Sequence, residues 1–230
     1  MSVIARQAGM IFAALLVPLC SQAQGDLRPV ETEFRFGCVG VDFKISHDYK
    51  FVNAGAQPIR IDTATANCDC SVVRFADTLV APNDTASVRL IFNTADFYGP
   101  VSKSLRVVAG STPAQELKVW YHATVGQWMY QVQPDPVSLF FLPVHSKKTA
   151  SIINHALDFV EVVDVVLLDD VVAVKTVKKK ASQKERVEFE VTPRSDLKPG
   201  EYLTNFTVRF KVPDGLEPLA ITIPVKVVRY

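Results

Sequence analysis

The chain has 230 residues, with 25 Lys plus Arg against 24 Asp plus Glu and a net charge of +1. That balance excludes the basic excess of a nucleic-acid protein and the strong single-sign charge of a membrane-surface protein. Hydrophobic residues make up 48%, enough to fill two ordinary cores, and the 14 Pro and 14 Phe suit a β-rich fold with many turns.

Residues 1–23 have the three parts of a cleaved signal peptide. Arg6 supplies the early positive charge, Met10 to Leu19 is an unbroken apolar run, and Ser21-Gln22-Ala23 offers small residues where a signal peptidase reads. The run is too short for a permanent transmembrane helix. Cys20 raises lipoprotein anchoring as a second reading, but Pro18 and Leu19 stand where small residues normally precede a lipidated Cys. The first expectation is therefore a soluble periplasmic or secreted protein. No later segment reads as a transmembrane span, since Phe159 to Val174 is broken by Glu161, Asp164, Asp169 and Asp170.

From there the chain reads as strand after strand. Apolar and polar residues alternate in Val88 to Phe92, Leu117 to Val119, Val187 to Val191, Asn205 to Val212 and Ile221 to Ile223. Turn formers separate them at Asn53-Ala54-Gly55, Pro82-Asn83-Asp84, Tyr98-Gly99-Pro100, Lys198-Pro199-Gly200 and Pro213-Asp214-Gly215. No capped helical segment of convincing length interrupts them.

The second half echoes the first at an offset of about a hundred residues, the size of one immunoglobulin-like sandwich. Pro29 and Phe34 recur as Pro136 and Phe141, and Phe51-Val52-Asn53 recurs as Ile152-Ile153-Asn154. Val88, Leu90 and Phe92 line up with Val187, Phe189 and Val191, and the Gly99 turn with the Gly200 turn. The expected fold is all-β: two tandem immunoglobulin-like antiparallel β-sandwiches after a cleaved signal peptide, over residues 27–126 and 127–230. The Pro-bearing connection from Gln131 to Pro136 predicts a limited range of angles between them.

The first half resembles the bacterial family called domain of unknown function 1573, over roughly Glu33 to Val125. The resemblance rests on Phe34-Arg35-Phe36-Gly37, on a strand ending Asn53-Ala54-Gly55, on Asn67-Cys68-Asp69-Cys70-Ser71, on the Pro82-Asn83 turn and on Phe92-Asn93. Asp69 and Asn83 replace the family's glycines. The resemblance implies an immunoglobulin-type fold and brings no activity with it. The second half looks like a diverged copy, with Asp169-Asp170 near where the cysteines would fall.

Beyond the signal, the chain keeps three cysteines, Cys38, Cys68 and Cys70, an odd number for an exported protein. Cys38 precedes the strand through His47 and Cys68 follows the next strand, so antiparallel topology brings both to one end of the sheet. A Cys38–Cys68 bridge would close about thirty residues and contribute roughly 3–4 kcal/mol. A Cys68–Cys70 bridge is disfavoured, since extended residues two apart have Cα atoms about 6.5–7 Å apart, at the edge of disulfide geometry. Two other readings stay open. Cys38, Cys68 and Cys70, with or without His47, could hold a soft metal ion such as Cu(I), or the Cys-x-Cys could exchange disulfides.

No nucleophile elbow, zinc-protease helix or phosphate-cradling loop is present. His122, His145 and His155 lie singly, and the Asp169-Asp170 pair reads as a solvated loop. The basic run Lys175, Lys178, Lys179, Lys180, Lys184 and Arg186 reads as a hairpin that blunts a sheet edge. The expectation is a non-enzymatic binding or scaffolding protein without a cofactor, its partner another protein or cell-envelope component. A periplasmic pilus-type chaperone is one alternative, with Val101 to Val108 as the strand it would lend. A copper-binding or thiol-redox protein is the other.

Overall fold

The computed structural model describes residues 26–76, 79–110, 113–126, 132–136, 138–141 and 146–230. The signal-peptide reading, Cys20 and His145 lie outside these residues. Among these residues, nine strands form a first unit: β1 (Leu27–Pro29), β2 (Glu33–Val39), β3 (Lys44–Asn53), β4 (Ile59–Ala66), β5 (Ser71–Phe75), β6 (Leu79–Val80), β7 (Thr85–Asn93), β8 (Gly99–Ala109) and β9 (Gln115–Val125). Nine more form a second: β10 (Val132–Asp135), β11 (Leu139–Phe141), β12 (Lys148–Asn154), β13 (Phe159–Leu167), β14 (Val172–Lys178), β15 (Lys180–Ser182), β16 (Arg186–Pro193), β17 (Gly200–Lys211) and β18 (Leu219–Arg229).

The fold is all-β, and each unit is a sandwich. One layer is a four-stranded antiparallel sheet, ordered β1-β3-β7-β5 in the first unit and β10-β12-β16-β14 in the second. The opposing layers join into one large sheet running β15-β13-β17-β18-β2-β9-β8-β4-β6. Period-two alternation explains the cores directly. In β3, Ile45, Tyr49 and Phe51 point inward to meet Val88, Leu90 and Phe92 of β7 and Leu105, Val119 and Tyr121 of the opposite layer. Ile152, Val187, Phe189, Phe206, Val208 and Ile223 do the same in the second unit.

The two units share more than strand order. β4 pairs with β8 through a bulge between Ile61 and Thr63, and β13 pairs with β17 through one between Val162 and Asp164. The buried Asn53 closes its turn by donating from Nδ2 to the carbonyls of Gln57 and Val80, at 2.8 and 2.9 Å. Asn154 donates likewise to Leu157 and Ala181, at 2.8 and 3.2 Å. Asn83 and Lys184, facing these turns, both adopt positive φ.

Register corrects part of the sequence comparison. Tyr49 pairs with Val88 and Ala150 with Phe189, so Val88 corresponds to Phe189 rather than Val187. Pro29 pairs with Phe51 and Pro134 with Ile152, so Pro29 corresponds to Pro134 rather than Pro136. Both errors are slips of two residues. A period-two pattern matches itself after such a slip, so alternation alone does not set the register.

Two further expectations change. Val101 to Val108 lies in β8, paired with β9 along its whole length, and its Leu105 to Val108 part is also paired with β4, so that part has no free edge to lend. Pairing of β18 with β2 and side-chain contacts join the units, and residues 127–131 of the connection lie outside the described residues. Phe34 and Phe36 of β2 fill the first core, yet Cys38 of the same strand packs into the second and pairs with Ile221 of β18. The outer face of β17 and β18 lies against the first unit. Thr207 and Thr222 share a hydroxyl hydrogen bond of 2.7 Å, and Thr222 donates to the Phe36 carbonyl at 2.6 Å.

Gly37 makes this approach possible. It sits at φ +68, at a bulge in the β2–β9 pairing. A Cβ there would stand 1.9 Å from the carbonyl oxygen of Ala220 in the second unit. Only glycine permits both the left-handed backbone and the contact.

Candidate functional site

The cysteine motif sits where β4 ends at Ala66 and the chain turns before β5 begins at Ser71. The turn is pinned to β8: the Asn67 amide donates to the Ser104 carbonyl at 3.0 Å, and the Ser104 amide donates to Asn67 Oδ1 at 3.1 Å. Because the segment is a turn, the Cα atoms of Cys68 and Cys70 are 5.2 Å apart, inside the disulfide range, and the two sulfurs are joined. The expected Cys38–Cys68 bridge does not form. Cys38 is buried among the apolar side chains of the second core, while Cys68 and Cys70 are half-buried at the rim of the first. Antiparallel order alone does not reveal that β2 turns Cys38 into the second core while Phe36 and Val39 on either side stay in the first.

Around the cysteine pair lie hydroxyls. Cys68 Sγ is 3.8 Å from the Tyr121 hydroxyl and 4.0 Å from Ser71 Oγ, and Ser71 and Tyr121 are hydrogen-bonded at 2.8 Å. Burial pushes the Tyr121 phenol above its ordinary pKa, partly offset by the Ser71 bond. It therefore stays protonated at neutral pH and can offer a hydrogen to a sulfur or an oxygen. Tyr121 carries no sequence signal, being one residue of a strand pattern, and Ser71 stands out only as the last residue of the cysteine motif.

His47 stands elsewhere. Its ring stacks on Phe34 with centroids 3.6 Å apart, and Nε2 lies 2.5 Å from Glu31 Oε1. It is a packed imidazole in the first core, and the structure does not bring Cys38, Cys68, Cys70 and His47 into one ligand set. Among the described residues no group of three or more His, Cys, Asp or Glu could hold a metal ion. No helix among them is long and apolar enough to cross a membrane.

Asp169 and Asp170 divide in role. Asp170 is exposed and paired with Arg194. Asp169 accepts from Thr204 Oγ1 at 2.7 Å and from the Val171 amide at 3.3 Å, and it faces Arg89 Nη1 of the first unit at 3.5 Å. Arg89 also grips Asp48 through two bonds of 2.7 Å. Beside this triad, Asn205 accepts from the Ser46 amide at 2.7 Å and donates to the Ser46 carbonyl at 3.2 Å. Asn205 and Thr207 are polar positions of an alternating strand, which sequence alone assigns to solvent. The structure buries them because the first unit covers that face.

The basic run behaves as an edge. Lys175 and Lys178 lie on β14, the edge of its four-stranded sheet, and Lys180 lies on β15, at the end of the large sheet. Acids accompany the cations: Lys178 is 3.4 Å from Glu185, and Lys179 and Lys180 lie 3.7 and 3.1 Å from Glu161. These pairs neutralise the run locally.

Residues 27–125 match the family described as a protein of unknown function, DUF1573. No curated protein matches the chain. Solved structures similar to it include the periplasmic chaperone SfaE, at 11% identity and TM-score 0.38, covering 89% of this chain and 100% of that one. A protein of unknown function from Porphyromonas gingivalis W83 is 8% identical with TM-score 0.36, over 88% and 100%. The Pseudomonas aeruginosa CupB2 chaperone is 13% identical with TM-score 0.35, over 86% and 98%.

Proposed function

We propose that this is an exported, non-catalytic binding or scaffolding protein of the periplasm or cell surface, built from immunoglobulin-like modules at residues 27–126 and 127–230. The observation that carries the reading is the junction. Arg89 with Asp48 and Asp169, Asn205 with Ser46, and Thr222 with the Phe36 carbonyl hold two sandwiches in one orientation. A body of fixed angle presents its end loops and sheet edges at a constant spacing, which suits engagement of a protein or envelope component without chemistry. The reading is tested by fractionating cells that express the tagged protein and cross-linking it in place. Recovery from the envelope fraction with one partner in fixed ratio supports it. Retention in the cytoplasm with residues 1–23 intact contradicts it.

A second reading is thiol–disulfide exchange at Cys68 and Cys70, favoured by their closure within one half-buried turn. A partner thiolate would attack one sulfur, form a mixed disulfide and release the other as thiolate. Cys38, buried in the other core, is not the resolving thiol. Trapping a mixed disulfide from Cys70→Ser cells tests this. A trapped partner that disappears in the Cys68→Ser, Cys70→Ser double variant supports exchange, and none in either contradicts it.

A further inference from the structure

β5 stands apart from the other strands that end the sheets. β1 and β10 carry Pro29 and Pro134, and β6 and β15 have two and three residues. β14 is bulged between Thr176 and Lys178 and carries Lys175 and Lys178. Prolines, bulges, lysines and shortness all keep an edge from pairing with a further strand. β5 has none of them: its five residues, Ser71-Val72-Val73-Arg74-Phe75, pair with β7 without a register shift.

The parity of that ladder decides which groups face outward. The Asn93 amide donates to the Cys70 carbonyl at 2.9 Å, so Cys70 and Asn93 form a hydrogen-bonded pair. By alternation, Val72 with Ile91 and Arg74 with Arg89 are the next bonded pairs. The residues between, Ser71, Val73 and Phe75, point their main-chain groups away from β7, to a side where no strand among the described residues pairs with them. The Ser71 amide turns back to the Cys68 carbonyl at 3.4 Å. The N–H and C=O of Val73 and the N–H of Phe75 are left for an incoming main chain.

The side chains set the charge that such a chain would meet. Asp48, Arg89 and Arg74 lie in one row across β3, β7 and β5. Asp48 and Asp169 hold Arg89. Arg74 is exposed, stands directly opposite Arg89 and has no ion pair among the described residues. Like charges directly opposite each other destabilise a sheet, and an acid at the next place in the row offsets that. Val72, on the same outer face, is 54% exposed.

We propose that β5 takes up an extended segment of another protein as an added strand, with an acidic residue opposite Arg74 and apolar residues on either side of it. The apolar neighbours come to lie beside Val73 and Phe75, which pack on the first core. A second copy of the chain lacks the acid: β5 against β5, antiparallel about Val73, sets two arginines on one face with nothing to balance them. This contact deepens the binding role proposed above and rests on it. The two fail separately, since titration reads the purified protein and fractionation reads its place in the cell.

The test is amide chemical-shift titration of the whole protein with the peptide acetyl-Val-Glu-Val-Thr-Val-amide. In antiparallel pairing its glutamate stands opposite Arg74 and its central valine opposite Val73. Binding should saturate at millimolar concentration, and the amides of Val73 and Phe75 should shift more than those of Val72 and Arg74, which already bond to β7. N-methylation of the central valine should weaken binding about tenfold, because that residue and Val73 exchange their main-chain bonds. Lysine in place of the glutamate should weaken it about fivefold. Arg74→Glu, at an exposed side chain, should reverse the preference between the two peptides. The proposal is overturned by no saturable shift, by shifts centred elsewhere, by an N-methylated peptide that binds as the parent does, or by a glutamate preference that survives Arg74→Glu. Concentration-dependent dimerisation abolished by Val73→Pro, read by sedimentation, would assign the edge to a second copy and overturn it too.

Discussion

The turn after β4 and the turn after β13 are the same backbone put to two uses. Each is pinned by a main-chain bond to the neighbouring strand, Asn67 to Ser104 in one and Leu168 to Asn205 in the other. Each also receives an amide from the end of the facing strand, Asn93 onto the Cys70 carbonyl and Arg194 onto the Val171 carbonyl. The side chains then diverge. The first turn carries Cys68 and Cys70 against Ser71 and Tyr121 of its own unit. The second carries Asp169, which reaches Arg89 of the other unit. The backbone is set by strand pairing, while the role follows from what stands opposite: a core rim in one case, the partner sandwich in the other.

The comparison can be broken hardest at Gly37, which lets the second turn reach its target. Gly37→Ala combines a left-handed backbone with a clash against Ala220, and should cost about 3–5 kcal/mol. Gly110→Ala is the control, since it has positive φ but no atom within 3.8 Å. It should cost only about 1–2 kcal/mol. Denaturant titration of both variants measures the difference. The shared part of the comparison rests on Asn53 and Asn154. Asn53→Ala and Asn154→Ala should each cost roughly 2–3 kcal/mol, because each leaves buried carbonyls without their donor. A large inequality would mean that the two turns are not equivalent supports.

The divergent part is sharpened by smaller effects. Asp169→Ala should cost about 1–2 kcal/mol, and its effect should largely vanish once Arg89 and Thr204 are also replaced. A triple-mutant cycle in calorimetry reads this coupling. Cys68→Ser should cost about the same, 1–2 kcal/mol, because the bridge closes a very short loop. Its effect should be independent of Arg89.

Much of the fold was legible because burial here follows period two. The alternation of Val187 to Val191 and of Phe206 to Phe210 assigned their inward faces correctly, and β3 ends at Asn53 where the turn formers stand, whereas Gly200 opens β17 after a turn at residues 195–196. What could not be read was the second face. Asn205, Thr207 and Thr222 look solvent-facing in any single strand, and only packing of one sandwich on another buries them. The cysteine pairing failed for the same reason. Cys38 belongs by sequence to the first unit and by packing to the second, and no local pattern reports that crossing. The Cys68–Cys70 closure was discounted on strand geometry, whereas the residues sit in a turn that shortens their separation to 5.2 Å.

The most direct test of the central claim, that one turn couples the two sandwiches and its counterpart does not, is differential scanning calorimetry of three proteins. The parent should unfold in one cooperative transition. The Asp169→Ala, Asn205→Ala variant should separate into two, and the Cys68→Ser, Cys70→Ser variant should keep one at a slightly lower temperature. Two transitions in the parent, or a split caused by the cysteine variant alone, would contradict the account.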